Sequence, residues 1–145
     1  MFAIVIITHE DLGEVYLRCA SRILGEQPLV SAISVSHETT CCQVLCQTIA
    51  EHLARLEDEN EILILVDLFG ATPCNASLIY QQHFSNKIKL VAGLNFPMLL
   101  KALTIRHLPV SDAITEIISS GRSGIFDATE KFEHVFCKEK NDTAC

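Results

Sequence analysis

Two uninterrupted apolar runs, "FAIVIIT" at 2–8 and "EILILVD" at 61–67, constrain this chain more than any other feature. A half-exposed strand alternates apolar and polar residues, whereas a strand covered on both faces does not. Each run therefore predicts an inner strand of a sheet sandwiched between helices. The stretches between them have helical spacing. Residues 12–24 carry Leu12, Val15, Tyr16, Cys19, Ala20, Ile23 and Leu24 on one face, and Gly25 stands where a helix would end. "LVSAISV" at 29–35 reads as a second strand, and 41–56 sets Val44, Leu45, Ile49, Leu53 and Leu56 on one helical face. Beyond 67, Pro73 suits the first turn of a helix and Thr72 its cap. "IKLVA" at 88–92 is a fourth strand; Asn95 and Pro97 start a helix to about 106, and Ser111 or Asp112 caps another to about 120.

Strands alternating with helices imply right-handed crossovers. The expected fold is therefore α/β: a doubly wound, mostly parallel sheet of four strands in the order 2-1-3-4, with helices on both faces. The segment "GIFDATEKFEHVF" mixes strand and helix signals, and leaves room for an antiparallel C-terminal edge strand. No repeat or linker divides the chain, whose 145 residues suffice to bury a core unaided. Residues 1–136 are expected to form a single domain, with 137–145 a flexible tail.

Eleven basic against 18 acidic residues, a net charge of −7, leave no basic footprint for nucleic acid or an anionic membrane surface. The apolar runs fall well short of the roughly 20 residues that span a bilayer, and no basic region precedes the first of them. The expectation is a soluble cytoplasmic protein that binds no nucleic acid and does not insert into membranes. Seven cysteines, an odd number at irregular spacing, fit reduced thiols. Cys42 and Cys46 fall four apart on a helix, but no second Cys or His pair has zinc-site spacing, so they read as small buried hydrophobes. Neither a metal nor a cofactor is expected.

In a doubly wound sheet, ligands bind beyond the carboxyl ends of the strands, where neighbouring connections diverge. Two polar residues lie there: His9 ends the first strand and Asp67 the third, and the order 2-1-3-4 makes those strands neighbours. A carboxylate that accepts one imidazole N–H fixes the tautomer and stabilises the cation formed when the other nitrogen attacks. The pair suits phosphoryl acceptance at His9, and "GATPCN" at 70–75 leads into a helix N-terminus able to hold phosphoryl oxygens. A plainer account is also open: a strand-end histidine is often a surface polar residue, and Asp67 could cap its own loop. Asn95 and Pro97 lie at another strand end, though capping and helix initiation explain both. Phe69 is either an exposed contact for a carrier protein or loop packing. The remaining histidines, at 37, 52, 83, 107 and 134, have no evident pairing and read as solvent-facing or capping residues.

At these residues the chain resembles the enzyme IIA domain of the mannose-type (mannose/fructose/sorbose) phosphotransferase system. "AIVIITH" resembles the family's first strand with its phosphorylated histidine, "LILVDLFGATPCNAS" its third strand and following loop, and "VAGLNFPMLLKAL" its fourth strand and next helix. The resemblance covers roughly 1–127. It implies that His9 takes a phosphoryl group from the phosphocarrier HPr and passes it to a IIB partner or reports it as a regulatory sensor, making the protein a phosphotransferase-system enzyme. It implies that Asp67 orients His9, and that Gly70, Ala71, Thr72 and Asn75 belong to the phosphate-binding loop. It also implies a homodimer in which a C-terminal strand, here near 124–136, crosses to the partner.

Two positions depart from the family pattern, which has glycine after the histidine and a second glycine in the loop; this chain has Glu10 and Ala71. An alanine is harmless where the backbone angle is negative and strained where it is positive. A carboxylate at Glu10 would repel a phosphoryl group by roughly 1 kcal/mol at about 4 Å in a water-like dielectric. Two other readings stand beside the first. A receiver-like signalling module would be phosphorylated on Asp67, although no lysine ends a convincing fifth strand. A non-catalytic interaction domain would have kept the fold and lost the chemistry.

Overall fold

The computed structural model describes residues 1–36, 42–57, 61–81 and 87–131. They form β1 (Ala3–His9), α1 (Leu12–Leu24), β2 (Val30–Val35), α2 (Cys42–Glu57), β3 (Ile62–Val66), α3 (Thr72–Gln81), β4 (Ile88–Ala92), α4 (Phe96–Thr104) and α5 (Val110–Ser123). The four strands make one sheet in the order β2-β1-β3-β4, every pairing parallel, as the sequence pattern predicts. Residues 124–131 contain no strand, and 132–145, with the rest of the expected edge strand and the tail, lie outside the described residues.

The unbroken apolar runs now have a physical account. Ile4, Ile6, Leu63 and Leu65 point to one face, where α1, α4 and α5 contribute Ala20, Leu99, Leu103 and Ile117. Val5, Ile7, Ile64 and Val66 point to the other, against Leu45, Ile49 and Leu53 of α2 and Cys74 and Ala76 of α3. Burying each of these larger aliphatic side chains contributes roughly 1.5–3 kcal/mol, so neither face tolerates a polar residue cheaply. The central strands are fully committed to the core until β1 and β3 emerge at their carboxyl ends.

Two of the expected caps are displaced: that of α3 by one residue, and that of α5. Asn95 caps α4, its Oδ1 accepting from Met98 N–H at 3.0 Å and its Nδ2 donating to the Gly121 carbonyl at 3.0 Å. The larger difference is α5, which begins at Val110 after Pro109 rather than at a cap on Ser111 or Asp112. Glu61, 49 residues earlier, reaches over and accepts from Val110 N–H at 3.0 Å, so a tertiary carboxylate does the work of a local cap. No described helix is long and apolar enough to cross a membrane.

Candidate functional site

The switch point of the sheet lies between β1 and β3, and their register sets its chemistry. Ile7 pairs with Val66 in the last rung between β1 and β3, while Thr8 and His9 stay paired with Ser34 and Val35 of β2, so His9 ends β1 beside the point where Asp67 leaves β3. Asp67 Oδ2 accepts from the His9 backbone N–H at 3.0 Å and lies 2.8 Å from His9 Nδ1. Its Oδ1 accepts from Leu68 N–H at 2.8 Å. One carboxylate thus replaces the missing ladder partner of His9 and holds its ring. The His9 side chain keeps 30% of its surface and Asp67 only 11%, so the imidazole is presented and the carboxylate is sheltered.

Partial burial pushes the Asp67 carboxyl upward in pKa, but the backbone N–H and the ring of His9, with Leu68 N–H, outweigh it and hold the group below its ordinary value. An ionised carboxylate only accepts hydrogen bonds. Nδ1 of a neutral His9 must then carry the proton, which places the nucleophilic lone pair on Nε2. With both Asp67 oxygens engaged, the geometry lends no support to acyl phosphate formation on Asp67.

The loop after Asp67 is built by Gly70 and Asn75. Gly70 takes a φ of +78°, and Asn75 Nδ2 donates to its carbonyl at 2.9 Å. The first helical bond of α3 runs from Asn75 N–H to the Ala71 carbonyl at 2.9 Å. Ala71 is therefore the cap and Thr72 the first helical residue, one position from the expectation. Pro73 has no N–H, so Thr72 and Cys74 supply the first-turn donors that precede the intrahelical ladder. Such donors and the helix dipole suit an anion.

The two departures from the glycine pattern prove unequal. Ala71 has no positive φ and carries no strain, whereas Glu10 sits at φ +48°, in the left-handed region that glycine favours. Its N–H donates to the Val35 carbonyl at 3.1 Å, so the turn that leaves β1 is tied to β2.

Sequence reasoning missed the supports of this turn. Thr8 is fully buried and its Oγ1 accepts from Gly13 N–H at 2.8 Å, capping α1 from the strand before it. A Cβ on Gly13 would stand 2.9 Å from Ile6 Cγ2, so α1 approaches β1 too closely for any side chain there. The available signal was a threonine at the end of an apolar run with a glycine five residues on. His52 is half-buried and 2.6 Å from Ser31 Oγ, not solvent-facing as expected, and burial lowers its pKa. His107 is exposed, while His37, His83 and His134 lie outside the described residues. Cys19 and Cys74 are free thiols, and no cluster of metal-binding side chains occurs among the described residues. The side chain of Cys42 is outside that description.

Comparison with known proteins gives the family of the chain. The sequence model of the family described as "PTS system fructose IIA component" matches residues 3–119. The PTS system fructose-specific EIIA component of Bacillus subtilis (strain 168) is 27% identical over 136 residues, covering 93% of this chain and 92% of that protein. The PTS system mannose-specific EIIAB component of Escherichia coli (strain K12) is 33% identical over 129 residues, covering 85% of this chain but 38% of the longer relative. The crystal structure of phosphotransferase system component EIIA from Streptococcus agalactiae superposes with a TM-score of 0.82 at 29% identity, covering 90% of this chain and 99% of that one. The family match takes in both strands that deliver His9 and Asp67 and the loop between β3 and α3, and on this ground the chain belongs to the mannose-type enzyme IIA family of the phosphotransferase system.

Proposed function

We propose that His9 accepts a phosphoryl group from phosphorylated HPr and passes it to a IIB domain or a regulatory target. The observation that carries this reading is the 2.8 Å contact of Asp67 Oδ2 with His9 Nδ1, because it leaves Nε2 as the nucleophile. The Nε2 lone pair attacks phosphorus as the donor's N–P bond breaks, and the donor nitrogen keeps that electron pair. The His9 ring, now bonded at both nitrogens, is cationic, and the ionised Asp67 stabilises it through Nδ1–H. Gly70, Ala71, Thr72 and Asn75 shape the loop whose N–H groups receive the phosphoryl oxygens.

Residues 1–136 act as one unit in the cytoplasm, with 137–145 as a tail. The Escherichia coli relative is named an EIIAB component, which favours a IIB recipient. A homodimer fits the outer edge of β4, where a cavity of about 360 Å³ is lined by Leu90, Met98, Ile114, Ile118 and Ile125. A segment near 124–136 of a second copy would pair there.

Incubation with phosphoenolpyruvate, enzyme I and HPr tests the assignment. The wild type should acquire an acid-labile, base-stable label, and His9→Ala should acquire none. Label retained in His9→Ala, or a base-labile acyl phosphate on Asp67, overturns it.

A further inference from the structure

We infer that Arg106 is the receptor of a small oxyanion, a phosphate or carboxylate held by its Nη1 and Nη2 edge, at the end of the sheet opposite His9. Arg106 lies in the turn between α4 and α5 and is 3% exposed. Its carbonyl accepts from Phe2 N–H at 3.1 Å and its Nε donates to the Phe2 carbonyl at 3.1 Å, so backbone and side chain together clamp the residue ahead of β1. His9 closes the same strand, about 23 Å away at a strand rise of 3.3 Å per residue. The site is thus separate from the transfer site, and the inference does not depend on the transfer reading.

The clamp spends only the Nε–H of the guanidinium. Nη1 and Nη2 are both buried, and neither has a hydrogen-bond partner among the described residues. A guanidinium does not deprotonate in a protein, so its burial is not relieved by neutralisation as a lysine's is. A full charge with its fork of N–H donors unspent therefore stays enclosed, and an uncompensated buried charge is among the costliest groups a fold can carry. Glu61, the carboxylate ahead of β3 at the same end of the sheet, is committed to Val110 N–H. Because Phe2 takes Nε, the open edge is the one formed by Nη1 and Nη2, whose parallel N–H groups match two oxygens of one carboxylate or phosphate. The next chain segment along that edge of β1 is the turn at Leu29, whose carbonyl accepts from Ile4 N–H at 3.0 Å. Leu29 stands at φ +56°, so the ion enters past a turn that is already strained.

Two readouts test the inference at constant ionic strength, with sodium chloride making up the balance. In ¹⁵N-labelled wild type, titration with inorganic phosphate should shift the Arg106 Nε–H and Nη–H signals saturably. Sodium acetate separates the sources: a shift with acetate as well means that the site takes carboxylates, and a shift with phosphate alone means that it takes phosphoryl groups, and either result supports the inference. Arg106 signals that stay fixed in both salts, or that follow chloride instead, overturn it, since water or a point ion then suffices. So does phosphate that shifts the His9 signals alone, having stopped at the loop after Asp67. In thermal unfolding, the margin of the wild type over Arg106→Met should grow by about 3 °C or more in saturating phosphate. Phosphate held beside His9 raises both proteins equally and cancels in that margin. A margin that phosphate leaves unchanged makes Arg106 a structural residue only and overturns the inference. If Arg106→Met does not fold, the wild-type titration decides alone.

Discussion

The carboxylate of Asp67 grips His9 twice, at the backbone nitrogen (3.0 Å) and at ring Nδ1 (2.8 Å), across 58 residues of sequence. The backbone contact sets where the residue stands, and the ring contact sets which nitrogen is basic. Asp67→Ala should therefore slow His9 labelling by about 100-fold or more, as loss of an orienting carboxylate does in other imidazole-based sites. Asp67→Asn should do no better, because its amide can donate to Nδ1 and move the proton to Nε2. The ¹⁵N shifts of the imidazole would report that exchange of tautomer, and a wild-type tautomer in Asp67→Asn would refute it.

Acid should unfold the protein in part through this residue. The folded pKa of Asp67 is held below its unfolded value of 3.8. Its stabilising effect is fully present above the unfolded value and is lost as pH falls through the folded one. Urea midpoints measured from pH 6 downward should drop through that window in the wild type and less steeply in Asp67→Asn. Parallel curves would mean that the carboxylate contributes nothing to the acid transition.

Glu10 separates strain from charge. A non-glycine residue in the left-handed region costs about 1–2 kcal/mol, part of which glycine returns through its freer unfolded chain. Glu10→Gly should stabilise the fold by about 0.5–1 kcal/mol in denaturant titration, while Glu10→Gln, which keeps the side chain's strain, should not. Both remove a negative charge beside the incoming phosphoryl group. Both should therefore speed labelling by a small anionic phosphodonor such as phosphoramidate, by up to about fivefold for a repulsion of roughly 1 kcal/mol. Equal stability of the two variants would place the glycine preference of the family elsewhere than in backbone strain.

The close approach of α1 to β1 should be intolerant of any side chain. Gly13→Ala puts a methyl 2.9 Å from Ile6 Cγ2 and 3.1 Å from Thr8 Oγ1, and neither neighbour is the end of a flexible chain. Overpacking of this kind costs about 1–3 kcal/mol. Thr8→Val, which keeps shape and removes the acceptor for Gly13 N–H, should cost about 1 kcal/mol by thermal or chemical unfolding. Because Thr8 precedes His9, the folded fraction of Gly13→Ala should also label more slowly than the wild type.

Much of the molecule is written locally. The unbroken apolar runs of β1 and β3, the helical spacing between strands and the punctuation at Gly25, Pro73 and Asn95 determine element types, their order and the doubly wound class. They do so because burial on two faces and helical periodicity are properties of short segments. Strand order then brings the ends of β1 and β3 together, so His9 and Asp67 could be named as a pair from sequence. What only the tertiary structure decided is how they meet: two bonds to one oxygen, an ionised acceptor, and hence a proton on Nδ1. The same holds for Glu61 capping α5 across 49 residues, for Thr8 capping α1, and for the left-handed turn at Glu10 as against the relaxed one at Ala71. Each depends on distances and backbone angles that arise when separate segments pack, and no spacing within one segment encodes them.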